Sequence, residues 1–253
     1  MRCGGVTAGS DPFNYRYLID RAARLGGRVL DYGCGHGQML ALGREHGLDI
    51  WGADTFEGYY ATWSDIVPAS VCDYVRKIDG GRADFPDAHF DVVLSNQVLE
   101  HVRDPEAAIA DMHRLLKPGG TLIASFPVFE TWYEGHVGLY FAHWLPKGSA
   151  LRKTYFTAAR KLGYGLYYED ITPAEWAHYS AHVLDDVCFY HSRRQLKRAF
   201  ERTFGVPADD ICADYVRARL GSRAQRIPAG ADPLLRFVYH KRAGELLCLR
   251  KPA

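Results

Sequence analysis

The chain has 253 residues, 47% hydrophobic and 24% charged, and 31 Lys plus Arg against 30 Asp plus Glu leave a formal net charge of +1. These values exclude a disordered, collagenous or coiled-coil chain, and the even charge balance carries no electrostatic footprint of a nucleic-acid or anionic-membrane partner. No apolar run reaches the roughly eighteen residues of a membrane span, and MRCGGVTAGSDPFNYRY lacks the apolar core of a signal peptide.

In chain order, residues 12–25 place Tyr17, Leu18, Ala22 and Leu25 at helical spacing, with Asp11 as cap and Pro12 in the first turn. RVLDYG reads as a strand, and a glycine-rich turn after it opens a helix over Gln38–Glu45. LDIWGAD is a second strand ending on an acid, followed by a helix over Tyr59–Ile66 and a weaker strand at Tyr74–Ile78. FDVVLSN (90–96) is a buried strand, Pro105–Leu116 a helix opening on proline, and TLIASFP (121–127) a strand after the KPGG turn. Strands alternating with helices at this spacing predict an α/β fold, a mostly parallel sheet covered on both faces. Between Phe126 and His191 lie sixteen of the thirty-three aromatics, which marks an inserted cap. SRRQLKRAFERTFG then reads as an amphipathic helix ending at Gly205, and ICADYV and ELLCLRK as two strands joined by an irregular Arg-rich connection. The Cys residues at 3, 34, 72, 188, 212 and 248 form no CxxC pair and read as reduced thiols of a cytoplasmic protein.

VLDYGCGHG (29–37) sets Asp31, Gly33, Gly35 and Gly37 at a strand-to-helix junction, where tight turns bring backbone N–H groups close to a ligand. A dinucleotide fingerprint would need glycine at position 38, and Gln38 stands there, which speaks against a nicotinamide oxidoreductase. The D-x-G-x-G-x-G spacing resembles motif I of the class I S-adenosylmethionine-dependent methyltransferases. Asp54, twenty-one residues after Gly33, ends the second strand where an acid holds both ribose hydroxyls. DGGRADFPD (79–87), FDVVLSNQVLEHV and LLKPGGTLIASFP resemble later segments of the group that includes the quinone-biosynthesis and methyltransferase domain 11 members. In the first of these, Ala83–Asp84 replace the group's Leu–Pro.

That resemblance implies a Rossmann-like seven-stranded sheet whose last two strands form an antiparallel hairpin. The whole chain, 1–253, would be one methyltransferase domain. Within it stand a lid helix at 12–26, a cofactor core at 28–127, a cap for substrate at 128–191 and a completing segment at 192–253. S-adenosylmethionine is the implied cofactor, held by Asp31, Gly33, Cys34, Gly35, Gly37, Asp54, Thr55, Asp79, Gly80, Asn96 and Gln97.

For catalysis, the candidates are titratable groups beyond the carboxyl ends of the central strands. His136, with Glu134 two residues earlier to orient it or bind a hydroxyl, is the first-choice general base for a hydroxyl acceptor. His101, in LEHV, corresponds to a signature residue of the group, as a second catalytic candidate or as a brace of the fold. Glu-x-His-Val-Gly-Leu followed by Leu145–Pro146 also resembles methyltransferases acting on surface sugars or related metabolites. Tyr15, Trp132, Tyr133, Tyr140, His143, His178 and His182 are the expected acceptor contacts. His178 and His182 stand at metal-ligand spacing, but neither a zincin glutamate nor a third ligand accompanies them, so no metal is expected. The acceptor is a small or sugar-containing molecule, with no nucleic acid and a monomeric or dimeric protein. N- or C-methylation by proximity without a base, and a non-catalytic cofactor-binding module, stay open as alternatives.

Overall fold

The computed structural model describes residues 12–57, 67–166 and 171–253; Asp11 and the helix expected over Tyr59–Ile66 lie outside them. Helix α1 (Pro12–Leu25) precedes β1 (Arg28–Tyr32), α2 (Gln38–Glu45) and β2 (Asp49–Asp54). Next come β3 (Val75–Asp79), the two-residue β4 (Arg82–Ala83), β5 (Phe90–Asn96), α3 (Pro105–Leu115) and β6 (Leu116–Phe126). The cap holds β7 (Tyr133–Glu134), β8 (Leu139–Tyr140), α4 (Ala150–Lys161) and α5 (Pro173–His182). The chain finishes with α6 (Arg193–Phe204), β9 (Asp209–Asp210), α7 (Cys212–Leu220), α8 (Asp232–Arg242) and β10 (Glu245–Arg250).

The main sheet runs β4-β3-β2-β1-β5-β6-β10-β9. β3, β2, β1, β5 and β6 are parallel, whereas β10 is antiparallel to β6. Because β5 is buried on both faces, its alternate residues feed two cores: Val93 packs with Ile109, Met112 and Phe200 from α3 and α6, while Val92 and Leu94 pack with Leu18, Leu40 and Tyr215 from α1, α2 and α7. The sequence signals for α3 and α6 hold in detail. Asp104 caps the first through Glu106 and Ala107 N–H, Ser192 caps the second through Gln195 N–H, and Gly205 ends it in the left-handed region.

Four expectations change. The sheet has eight strands rather than seven, the extra one being β4, which folds back antiparallel on β3 through Gly80–Gly81. ICADYV is not a strand: Cys212, Tyr215 and Val216 recur at helical spacing, and the Asp210 carboxylate accepts the Cys212 N–H, so the segment starts α7. The strand beside β10 is instead β9, immediately upstream, so two helices separate these antiparallel neighbours and no hairpin forms. In α1, Leu25 is exposed and Ile19 takes a core place beside Tyr17, Leu18 and Ala22.

The cap has its own core of Val137, Leu139, Phe156, Trp176, Ala181 and Leu184. It is stitched to the sheet domain by Phe189 N–H to Glu100 O and Trp132 N–H to Lys241 O.

Candidate active site

β1 and β5 are neighbours whose following chain departs in opposite directions across the sheet, and ligands of open α/β sheets settle at such a switch point. At the end of β1, Asp31 is 2% exposed and makes no hydrogen bond among the described residues. Burial, reinforced by Asp54, pushes its carboxyl up to about 8. Gly33 and Cys34 N–H both bond Ala53 O, which folds the glycine turn against β2. Gly33 has φ +84°, and a Cβ there would stand 2.2 Å from Val98 Cγ2. Gly33→Ala is therefore expected to destabilise the protein by about 2 kcal/mol or more, read from thermal melts. Cys34 is buried beneath the turn, and burial with Asp31 and Asp54 nearby keeps its thiol protonated.

Asp54 closes β2 with Oδ2 accepting Gly35 N–H at 2.9 Å and Oδ1 accepting Phe56 N–H at 3.1 Å. Each of these oxygens keeps a lone pair for a further donor. No atom of the described residues lies within 4 Å of where a Gly35 Cβ would stand, so among them the turn faces open space. The Asp54 carboxylate, and a buried Asp31 carboxyl that has no hydrogen-bond partner among the described residues and that a nearby cation would ionise, stand beside the glycine turn and suit a cationic ligand bearing a diol; S-adenosylmethionine is such a molecule. Thr55, Asp79 and Gly80 are exposed at the ends of β2 and β3 on the same edge of the sheet. Asn96, at the end of β5, accepts Asn14 Nδ2–H at 2.7 Å, which ties α1 to this edge, and Asn14 Oδ1 is buried with no partner among the described residues. Gln97 follows at φ +56°, its N–H held by Ser125 O. Tyr15 is partly buried one residue from Asn14.

The three catalytic candidates come together. Glu134 is 1% exposed, its Oε1 accepting His136 Nδ1–H at 2.7 Å and the Tyr190 hydroxyl, its Oε2 accepting Val137 N–H at 2.8 Å. His136 Nε2 lies 3.2 Å from His101 Nε2, and His101 Nδ1 is 3.0 Å from Val187 O. A carbonyl only accepts, so His101 carries its proton on Nδ1 and its Nε2 lone pair receives the His136 Nε2–H. Burial alone would raise Glu134, yet the His136 cation, the Tyr190 hydroxyl and Val137 N–H hold it at about 2. Burial would likewise lower His136, but Glu134 outweighs it and lifts the imidazole well above its usual value. His101 keeps solvent contact on one side, while the protein packed round its ring and the neighbouring cation bring it down to about 4. The residue stands on a short 3₁₀ turn, Leu99–His101, rather than on the helix that follows.

Of the expected acceptor contacts, His143 joins this centre, its ring 4.5 Å from Tyr190. Trp132 and Tyr133 turn towards α8: Trp132 packs 6.1 Å from Phe237, and the Arg242 guanidinium lies 3.3 Å over Tyr133. Tyr140 is half exposed across from Tyr133. His178 and His182 lie on the exposed face of α5, where His182 pairs with Asp186, so the structure does not bring them to His136.

The sequence reading passed over Glu100, Cys188 and Tyr190. Glu100 is 1% exposed with neither carboxyl oxygen hydrogen-bonded, and burial pushes it up to about 7. Its signal was present, one residue before His101 in LEHV. Tyr190 lies fifty-four residues from His136 and carries no local signal.

A methyltransferase-domain family model matches residues 13–203. The chain is 32% identical over 117 residues to the ubiquinone biosynthesis O-methyltransferase of Pseudomonas aeruginosa strain UCBPP-PA14, 46% of this chain and 50% of that one. It is 29% identical over 180 residues to the enzyme of the same name from Escherichia coli O157:H7 strain EC4115, 64% of this chain and 75% of that one. The chain thus spans about half the length of the first of these curated relatives. Among solved structures, an S-adenosylmethionine-dependent methyltransferase from Mesorhizobium loti superposes with TM-score 0.53 at 19% identity, covering 94% of this chain and 97% of that one. Geranyl diphosphate C-methyltransferase from Streptomyces coelicolor A3(2), in complex with Mg²⁺, geranyl diphosphate and S-adenosyl-L-homocysteine, superposes with TM-score 0.51 at 16% identity, covering 95% and 77%. The match over three quarters of the sequence, on a sheet of this topology, places the chain in the methyltransferase-domain family, among the class I S-adenosylmethionine-dependent methyltransferases.

Proposed function

We propose that the chain transfers a methyl group from S-adenosylmethionine to a hydroxyl oxygen of a small acceptor, with the Glu134–His136–His101 chain receiving the hydroxyl proton. The observation that carries this is the buried Glu134 carboxylate 2.7 Å from His136 Nδ1, just past the carboxyl end of β6. A carboxylate so placed orients an imidazole and stabilises its cation, the arrangement a general base needs. The name of the curated relatives, O-methyltransferases of ubiquinone biosynthesis, favours a hydroxylated ring over a sugar as acceptor.

The cofactor supplies the electrophilic methyl carbon of a sulfonium. Asp54 would hold the ribose diol, Asp31, which has no hydrogen-bond partner among the described residues, would offer its carboxyl to a cationic group, and Asn96, Gln97 and Asn14 would border the end of the site nearest the acceptor. Val98, packed under Gly33, keeps the glycine turn in place. In its neutral form His136 keeps Nδ1–H on Glu134 and takes the acceptor proton at Nε2, where the acceptor hydroxyl replaces His101 Nε2 as the partner. With its pKa lifted, His136 rests as a cation, and only its neutral form accepts a proton. Turnover should therefore climb as pH rises through that lifted value, the opposite of a rate limited by an acid, and level off above it.

The test is methyl-labelled S-adenosylmethionine incubated with catechols, phenols and hydroxylated sugars. Label recovered as a methyl ether, with the rising pH profile, supports the reading; label on nitrogen or carbon, or a flat profile, sinks the base. No transfer to any acceptor, with S-adenosylhomocysteine still bound, leaves a non-catalytic module.

A further inference from the structure

A recess of about 320 Å³ opens beside the Glu134–His136 centre and shares Cys188 and Tyr190 with it. Its wall is strongly cationic: Arg103, Lys147 and Arg152 line it, and the lining contains no carboxylate. Asp185 neutralises Arg152, but neither Arg103 nor Lys147 has a carboxylate partner among the described residues. The two stand against the Phe189 ring, the Arg103 guanidinium 4.8 Å and the Lys147 ammonium 5.7 Å from its centroid. Lys147 spends two of its three donors on Asp185 O and Cys188 O and keeps one.

Two buried polar atoms in the same wall find no hydrogen-bond partner among the described residues. Arg152 is 2% exposed, with its terminal nitrogens on Asp185 and Leu145 O, while its Nε has no acceptor. His143 is 8% exposed and its Nε2 lies 3.0 Å from Phe129 O. That carbonyl fixes the proton on Nε2, so the partnerless Nδ1 is a lone pair awaiting a donor. Leaving such atoms unpaired costs free energy, so the wall carries unmet polar groups as well as positive charge.

Resting on the O-methylation reading, we propose that this recess binds an anionic group of the acceptor, a carboxylate or a phosphate. The substrate class is then a hydroxylated acid or phosphate ester. Arg103 and Lys147 meet the anion, and the hydroxyl to be methylated faces His136.

The experiment is calorimetric titration of the full chain, saturated with S-adenosylhomocysteine, with 3,4-dihydroxybenzoate and with its uncharged methyl ester. Glucose 6-phosphate against glucose forms the second arm, and the arm that responds assigns the anion. The charged member of one pair should bind about tenfold or more tightly than its neutral counterpart. Arg103→Gln and Lys147→Met should each remove most of that preference, with the neutral probe and S-adenosylhomocysteine unaffected; either variant suffices if the other fails to fold. Equal affinities within both pairs, no binding of either anion at millimolar concentration, or a preference that survives both substitutions overturns the proposal. Loss of S-adenosylhomocysteine binding itself would strike instead at the methyl-transfer reading.

Discussion

His136→Ala is expected to lower turnover by about 10²-fold or more while leaving the affinity for S-adenosylhomocysteine unchanged. The imidazole sits between a carboxylate at 2.7 Å and a second imidazole at 3.2 Å, beside the acceptor recess and away from the glycine turn, so its loss falls on proton transfer. Alanine has a second effect, because Glu134 is wholly buried and would lose the cation opposite it. Stranding a buried charge costs about 3 kcal/mol or more, so the alanine protein should also melt earlier. His136→Gln separates the two effects: its amide donates to Glu134 but supplies no cation and takes no proton at neutral pH, so stability should partly return while turnover stays low. The pH profile adds a check, since the rise through the lifted His136 value should vanish in both variants. Turnover at the unsubstituted level in His136→Gln would mean transfer by proximity alone.

Asp54→Ala should abolish measurable S-adenosylhomocysteine binding while costing less in folding stability. The carboxylate accepts Gly35 and Phe56 N–H and has lone pairs left for two ribose hydroxyls. Loss of hydrogen bonds to a charged group costs on the order of 3 kcal/mol, more than about a hundredfold in affinity. The glycine turn also loses its tie to β2 at Gly35, which adds to the binding loss because the turn must hold its shape to meet the ligand. Calorimetric titration measures the affinity and a thermal melt the stability. A melting loss as large as the binding loss would show that Asp54 serves the fold first.

Much of the fold was readable because its signals are local. The glycine spacing at 33, 35 and 37, the acid at the end of β2 and the apolar runs of β5 and β6 each declare themselves within a few residues. So do the proline start of α3 and the Ser192 and Gly205 ends of α6, since caps and turns are short-range chemistry. The misreading of ICADYV has the same origin: a six-residue apolar stretch fits strand and helix alike, and the Asp210 carboxylate that takes the Cys212 N–H stands just outside the window. A two-residue strand such as β4 has no signature of its own, for it exists only because a tight turn lays it against β3.

The sequence by itself determined the family, the parallel sheet, the glycine turn with Asp31 and Asp54, and the pairing of Glu134 with His136 two residues away. Only the tertiary structure decided which histidines meet. His101 reaches His136 across thirty-five positions, Tyr190 reaches Glu134 across fifty-six, and His178 and His182 fall on a solvent face. The cationic recess is likewise assembled from Arg103, Lys147 and Arg152, which no periodicity connects. The physical reason is one of range. Backbone turns and caps are set by neighbours along the chain, whereas proton affinities and ligand pockets depend on burial and on charges brought close by packing.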